Sequence, residues 1–463
     1  MPEAVRRCLV LGGFVLLCSL GSLSAAWQAR DWGNALSPVD AFSEANAIRE
    51  ARNFLDTGIA ANDGLGNVLR PGLYPDQGFE AYPDLRAQSV TPSGVYTHYP
   101  PGPEYLLYVA MRLLGPHPIS RLRILPLAIS WGAAVFFGLS LRRRFGTPVA
   151  GLVMLACAAL PMFSDADSFL HYDGYAFALL LVEIGICVGR NEPRPASGAS
   201  FGTVVGMILP LLLLGFLQGW LSFDYVFLVT LVPAATELAT GRLGVDHTAC
   251  LRPALWRCMA AGGGFALAHL LHFIEVWAFF GSFHAAARDL GDAAAFRSGA
   301  AGSLHRLAMT FAILKYYLVG QYPISTFFWR PDAGIPGNWR VFRFAGLTVG
   351  IWWIVLTHVF IVGRLLRQRR ARSAGPGRPI DNDWLAVSLY GLVPCVLWYI
   401  VMLDHALEHT HFLYRHLFFG FFLGTLFCAT ALVKLLEPVR LRALFVFPRP
   451  LALISGTLKK NGP

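Results

Sequence analysis

Apolar residues run along this chain in stretches too long and too unbroken to be the stripes of soluble helices. A bilayer span takes about 17–25 mainly apolar residues. Ten stretches meet that requirement, near 9–26, 122–141, 147–163, 172–189, 202–220, 223–240, 258–280, 343–363, 384–402 and 417–436. They predict an all-α polytopic membrane protein of about ten transmembrane helices. Residues 105–115, 304–321 and 443–456 are also apolar but too short or too charged to span, and they predict helices lying in the interface. Polar pattern returns over two long loops, 27–121 and 281–342. No internal repeat or soluble domain stands out, so 1–436 reads as a single transmembrane domain and 437–463 as a short tail.

Inside the first long loop the pattern changes to that of an amphipathic helix. Ile48, Ala51 and Leu55 form one apolar line, Asp40 precedes it as an N-cap and Gly58 follows it as a C-cap, predicting a helix over about 41–57. Glu44 lies four residues before Ile48 and continues the apolar line, so it points where the helix packs. A carboxylate in that position needs a partner or a task. The blander readings are that Asp40 only caps and that Glu44 only favours the helix dipole.

Charge then fixes the expected topology. The chain is 55% hydrophobic and 14% charged, with a formal net charge of +10, where a soluble protein carries about a quarter charged residues. With the N-terminus inside, the cytoplasmic pieces hold 22 of the 38 Lys and Arg and 7 of the 28 acids. That is the positive-inside pattern, and it accounts for the basic balance without a nucleic-acid partner. Ten spans return the C-terminus to the cytoplasm and leave both long loops outside. Arg6, Arg7, the first apolar run and Ser24-Ala25-Ala26 fit a cleavable signal peptide, but a run as long as a full span favours a retained helix. All eight cysteines fall in spans or cytoplasmic segments, so no disulfide is expected in the outer loops. Arg outnumbers Lys 34 to 4, a bias of high-GC bacterial genomes, which points to an inner membrane.

Candidate chemistry gathers at the outer ends of the spans. Prolines 100, 101 and 103 stiffen the segment after His98 and Tyr99 and lead into the interfacial helix. Asp165, Asp167, His171 and Asp173 cluster before the fourth span, and acids held at a membrane surface mark a site. Asp165 and Asp167 offer oxygen ligands to a divalent cation, while Asp173 also caps its helix. The segment 404–416 carries His405, His409, His411 and His416. His405 and His409 stand one helical turn apart, without the further ligand of a known zinc pattern. Arg415 is a fixed cation at headgroup level, suited to a phosphate or to snorkelling toward lipid.

In that order, these features resemble the membrane-embedded C-type glycosyltransferases, in the branch of protein O-mannosyltransferases and the aminoarabinose transferase. The resemblance lies in the stretch from Glu44 to Gly58, in Tyr99-Pro100-Pro101 followed by a helix ending at Gly115, in Asp173 at the head of span four, and in Tyr414-Arg415 before the last span. It runs through residues 1–190 and then narrows to topology and Tyr414-Arg415. Ser43 stands where that family has the first Asp of an acidic pair, and Tyr99 where a Lys is frequent. The resemblance implies transfer of a sugar, with inversion, from a polyprenyl-phosphate donor to a glycan, lipid or protein acceptor at the outer, periplasmic face. It implies Glu44 as base with Asp40 as the alternative, Asp173 as a second acid, and His98, Tyr99, Tyr414 and Arg415 near the phosphate. No cofactor is implied with certainty beyond the divalent cation that Asp165 and Asp167 suggest. Two other classes compete: a transporter or flippase of a lipid-linked substrate, which favours repeats and midplane charges, and a non-enzymatic assembly subunit.

Overall fold

The computed structural model describes residues 2–32, 41–68, 94–159, 167–189, 201–240, 247–298, 303–319, 350–363, 383–409 and 414–436, with Leu36, Leu366 and Arg367. Helices make up most of the described residues, which otherwise hold turns and one isolated antiparallel bridge, Asn67 to Val95. Its helices are α1 (Glu3–Trp32), α2 (Ala41–Thr57), α3 (Gly102–Leu114), α4 (Ile119–Leu122), α5 (Ile124–Phe145), α6 (Thr147–Ala158), α7 (Tyr172–Gly189), α8 (Phe201–Leu221), α9 (Val226–Thr240), α10 (His247–Phe280), α11 (Phe283–Ser298) and α12 (Ser303–Val319). After them come α13 (Gly350–Gly363), α14 (Asp383–Val401), α15 (Leu403–Glu408) and α16 (Phe418–Leu436).

Among the described residues, five helical segments are long and apolar enough to cross a membrane, and five shorter apolar helices accompany them. Each overlaps one of the ten apolar stretches. The chain is a multi-pass membrane protein. The interfacial helices expected near 105–115 and 304–321 are α3 and α12, whereas 443–456 lies outside the described residues, as does the tail 437–463. One boundary moves: the sixth apolar run was expected from 223, but α9 begins at Val226 and leaves Asp224 in the turn before it.

Local sequence explains where the helices stop and start. Gly102 and Pro103 open α3 with Pro in its first turn, and Gly115 ends it at φ 86°. Arg142, Arg143 and Arg144 close α5 in its last turn, where a cation suits the helix dipole. Gly146, at φ 83°, then turns the chain directly into α6. The tightest crossing joins α8 to α10. A Cβ on Gly215 would stand 2.0 Å from the Ala261 carbonyl oxygen, and one on Gly264 2.0 Å from that of Leu212. Small residues let membrane helices approach this closely and gain dispersion contacts where no hydrophobic drive exists between them. Phe137 of α5, Phe177 of α7 and Phe418 and Phe422 of α16 interlock as edge-to-face pairs in the bundle core.

Helices α2 and α3 pack together at the loop end of the bundle through Ala47, Ile48, Ala51, Leu107, Ala110 and Met111. The strap 94–101 runs from there into the bundle. It is tied at one end by Val68 N–H to the Gly94 carbonyl (2.9 Å) and Tyr96 N–H to the Gly66 carbonyl (3.0 Å). At its other end Gly102 meets Trp220 of α8 so closely that a Cβ would stand 2.2 Å from the Trp220 carbonyl oxygen.

Candidate active site

Glu44 lies on the buried line of α2, as its position after Asp40 predicts, but it is not a free carboxylate. Arg123, between α4 and α5, grips it bidentately, with Nη1 to Oε1 at 2.7 Å and Nη2 to Oε2 at 2.9 Å. The Leu170 N–H donates to the same Oε1 at 3.0 Å, and Arg123 Nη1 also reaches the Ser168 carbonyl at 2.8 Å. Both side chains of the ion pair are 1% exposed. The pair fastens the first loop to the start of α5 and to the turn before α7. Asp40, the alternative acid, lies outside the described residues, as does Asp165. Asp167 is buried and accepts a hydrogen bond from Ser22 of α1 at 2.8 Å. Among the described residues no group of three His, Cys, Asp or Glu side chains assembles as a metal donor set.

Asp173 heads α7 and is buried. Arg415, in the 3-10 turn Tyr414–Leu417, forms an ion pair with it through Nη1 and Oδ2, and Tyr225 donates to its Oδ1 at 2.6 Å. The arginine also lies over the ring of Phe169, 5.2 Å from its centroid. Sequence analysis brought Asp173 and Arg415 forward separately, and the fold joins them. The side chain of Tyr414 lies outside the described part of the structure.

Beside this pair sits one that sequence analysis missed. Asp224 in the turn before α9 accepts from the Tyr172 hydroxyl, and its backbone N–H donates to Ser222 Oγ at 3.0 Å, which braces the turn. Its Oδ1 lies 3.4 Å from Nε2 of His405. Tyr172-Asp173 and Asp224-Tyr225 therefore cross-link reciprocally, each tyrosine donating to the other segment's aspartate. Burial works to raise the Asp224 carboxyl, but His405 and Tyr172 beside it outweigh burial and hold it down at about 2. It is an anion at neutral pH.

Aromatic rings wall the space above these carboxylates. Tyr96, Tyr99 and Tyr172 form a stack, with centroids 5.9 Å and 5.6 Å apart. Phe223 lies 4.6 Å from Tyr99, and the Tyr99 hydroxyl is 3.4 Å from His405 Nε2. Arg297 of α11 places its guanidinium over both Tyr99 and Phe223, at 4.8 Å and 4.7 Å. It is buried, and no carboxylate pairs with it among the described residues. Ala286, Asp289, Ala293 and Arg297 recur along α11 at helical spacing and form its inner face. The same face is anchored at Asp289, which accepts from Thr97 at 2.6 Å and stands 3.5 Å from His98 Nε2. His98 thus fixes the strap to α11 and does not join Arg415, while Tyr99 does stand in the site.

A second acidic pair lies on the loop side. Glu50 of α2 and Glu104 in the first turn of α3 are both buried. Burial lifts Glu104 from 4.5 to about 7, and burial together with the Glu104 charge lifts Glu50 well above its usual range. The fold therefore favours the protonated form. Stability present below the unfolded value of 4.5 is lost as pH rises toward 7, because the unfolded chain ionises first. The expected slope is about 1.4 kcal/mol per pH unit for one such group. Thermal unfolding in detergent should fall between pH 5 and 7 for the wild type, and Glu104→Gln should flatten that fall. An unchanged slope in the variant would remove Glu104 as its source.

The chain matches no protein-family model and no curated protein. It is similar to the solved archaeal oligosaccharyltransferase AglB from Archaeoglobus fulgidus, in complex with an inhibitory peptide and a dolichol-phosphate, at 13% identity and a TM-score of 0.46. That match covers 97% of this chain and 53% of the other. It is similar also to ArnT from Cupriavidus metallidurans in the apo state, at 14% identity and a TM-score of 0.38 over 90% of this chain and 77% of that one. The same protein bound to undecaprenyl phosphate matches at 14% identity and 0.36, over 90% and 78%. The chain spans about half the length of the oligosaccharyltransferase.

Proposed function

We propose that this protein is an integral membrane glycosyltransferase that takes a sugar from a polyprenyl-phosphate donor and passes it to an acceptor with inversion. The observation that carries this reading is Arg297, a buried guanidinium laid over two aromatic rings with no carboxylate in ion-pair contact among the described residues, beside the Asp173–Arg415 and Asp224–His405 pairs. A guanidinium held that way is preorganised for a phosphate, and it stabilises the charge that appears as the phosphate departs. Aromatic faces suit the apolar faces of a sugar ring, and exposed apolar side chains such as Leu267, Leu270 and Ile274 of α10 offer a surface to a lipid tail. Asp173, fixed by Arg415 and Tyr225, orients hydroxyl groups of sugar or acceptor. The charge pattern supports placing this end of the bundle on the periplasmic side of an inner membrane, with both termini in the cytoplasm.

Single displacement needs three things: a leaving group stabilised by cations, a nucleophile whose proton is accepted, and restricted water. The bilayer interface supplies the third. The purified chain in detergent, given undecaprenyl-phosphate-linked sugars, is expected to release undecaprenyl phosphate. A transporter or flippase is favoured by one observation, the fully buried Glu183 within α7, whose two carboxylate oxygens have no hydrogen-bond partner. Transport has no meaning in detergent. Absence of carrier release there, with movement of the same lipid across proteoliposomes, would replace the transferase reading with the transport one.

A further inference from the structure

We propose that the Asp224–His405 pair, and not Glu44, is the general base of this transferase. The assignment rests on the transferase reading and says which group takes the acceptor's proton. Three observations on the site carry it.

Glu44 is already committed. Both of its oxygens are held by Arg123, and Oε1 also accepts the Leu170 N–H. To act as a base it would have to give up an ion pair that is 1% exposed on both sides. Asp173 is likewise engaged on each oxygen, by Arg415 and by Tyr225.

His405 is arranged differently. Its Nε2 faces the Asp224 carboxylate at 3.4 Å and the Tyr99 hydroxyl at 3.4 Å. Phe223 and Trp398 hold its ring, with centroids 5.9 Å and 5.8 Å away. An aspartate facing Nε2 keeps the proton on that nitrogen and leaves the lone pair on Nδ1. Among the described residues no hydrogen bond is made to Nδ1. With the proton on Nε2, Nδ1 is the nitrogen left to accept. Histidine is also the side chain whose charge ordinarily changes near neutrality, as a general base requires.

The third observation is position. Tyr99 touches His405 Nε2 through its hydroxyl and carries Arg297 over its ring, so the imidazole and the guanidinium flank one aromatic wall. In the step, an acceptor hydroxyl oxygen forms its bond to the anomeric carbon while the hydroxyl proton passes to His405 Nδ1. The bond from that carbon to the phosphate oxygen breaks, and the electron pair leaves with the carrier phosphate beside Arg297. Asp224 stabilises the imidazolium until it returns the proton to water.

The test uses the full chain purified in detergent with a panel of undecaprenyl-phosphate-linked hexoses and pentoses, and it reads released carrier and transferred sugar. His405→Ala is expected to lose transfer by ~10²–10⁴-fold, the range of a lost general base, and added imidazole is expected to restore it by at least about tenfold. His405→Gln, which fills the space and cannot accept the proton, is expected to show the same loss without rescue. Should His405→Ala fold poorly, the glutamine variant with a wild-type elution profile and donor KM serves in its place. Transfer within about threefold of wild type in either variant, or loss in His405→Ala that imidazole leaves untouched, overturns the assignment. Loss in a fully folded Glu44→Gln alongside an active His405→Gln would return the base to the first loop. A wild type that releases carrier from no member of the panel overturns the transferase reading itself.

Discussion

Arg297→Ala is expected to lower kcat/KM for a polyprenyl-phosphate donor by ~10²–10³-fold, the usual cost of removing one preorganised contact to a developing charge. The variant leaves no carboxylate orphaned among the described residues, since none is paired with Arg297. Its effect should therefore fall on binding and catalysis while thermal unfolding moves little. Arg297→Lys is expected to recover only part of the loss, because a lysine keeps the charge but not the flat face that lies over Tyr99 and Phe223 or the paired donors. Steady-state kinetics at varied donor, with undecaprenyl phosphate as competitor, separates the two contributions. Wild-type kinetics in Arg297→Ala would remove the phosphate from this position.

The largest stability effect is expected at Arg123. Arg123→Met leaves Glu44 ionised in a space where it is 1% exposed, and breaking a buried ion pair from one side costs ~3–5 kcal/mol. The loop helix α2, the turn 168–170 and the start of α5 would all lose their common tie. Pairing the change with Glu44→Gln is expected to restore much of the loss, because the uncompensated charge disappears. Thermal unfolding of the two single variants and the double variant forms the cycle that measures it. If Arg123→Met unfolds with the wild type, Glu44 has no structural dependence on that arginine and is again open to a chemical role.

The parts of this protein that were legible in the sequence are those fixed by local pattern. Each apolar run near span length became an apolar helix, because the bilayer leaves a backbone no alternative to satisfying its own hydrogen bonds. Helix α2 covers the residues its pattern marked and ends before Gly58, and α3 followed its prolines. The pairings were not legible. Glu44 and Arg123 lie 79 residues apart, and nothing local to either one reports the other. Asp224 was read as part of a span. The signal that could have exposed it is Asp224-Tyr225 at the head of an apolar run, mirroring Tyr172-Asp173 at the head of another.

Arg297 was hidden for a different reason. The second long loop reads as polar, but its first helix is amphipathic, and Ala286, Asp289, Ala293 and Arg297 share a face. Small residues alternating with charges make a weak apolar stripe, and only the docking of that stripe on the strap shows that the charges point inward. His405 was weighed as a metal ligand because histidines cluster there. Its partner proved to be a carboxylate from another turn of the chain. His98 drew notice for its place beside the prolines, and the fold uses it to hold the strap against α11.

The central claim is that a lipid-linked sugar phosphate binds where Arg297, Tyr99 and the Asp224–His405 pair meet. A structure of the protein with an undecaprenyl-phosphate-linked sugar bound tests it most directly. The phosphate is expected within hydrogen-bond distance of Arg297, with the anomeric carbon on the side of the aromatic wall that faces His405. A phosphate bound away from Arg297, or an anomeric carbon facing Glu44, would contradict it.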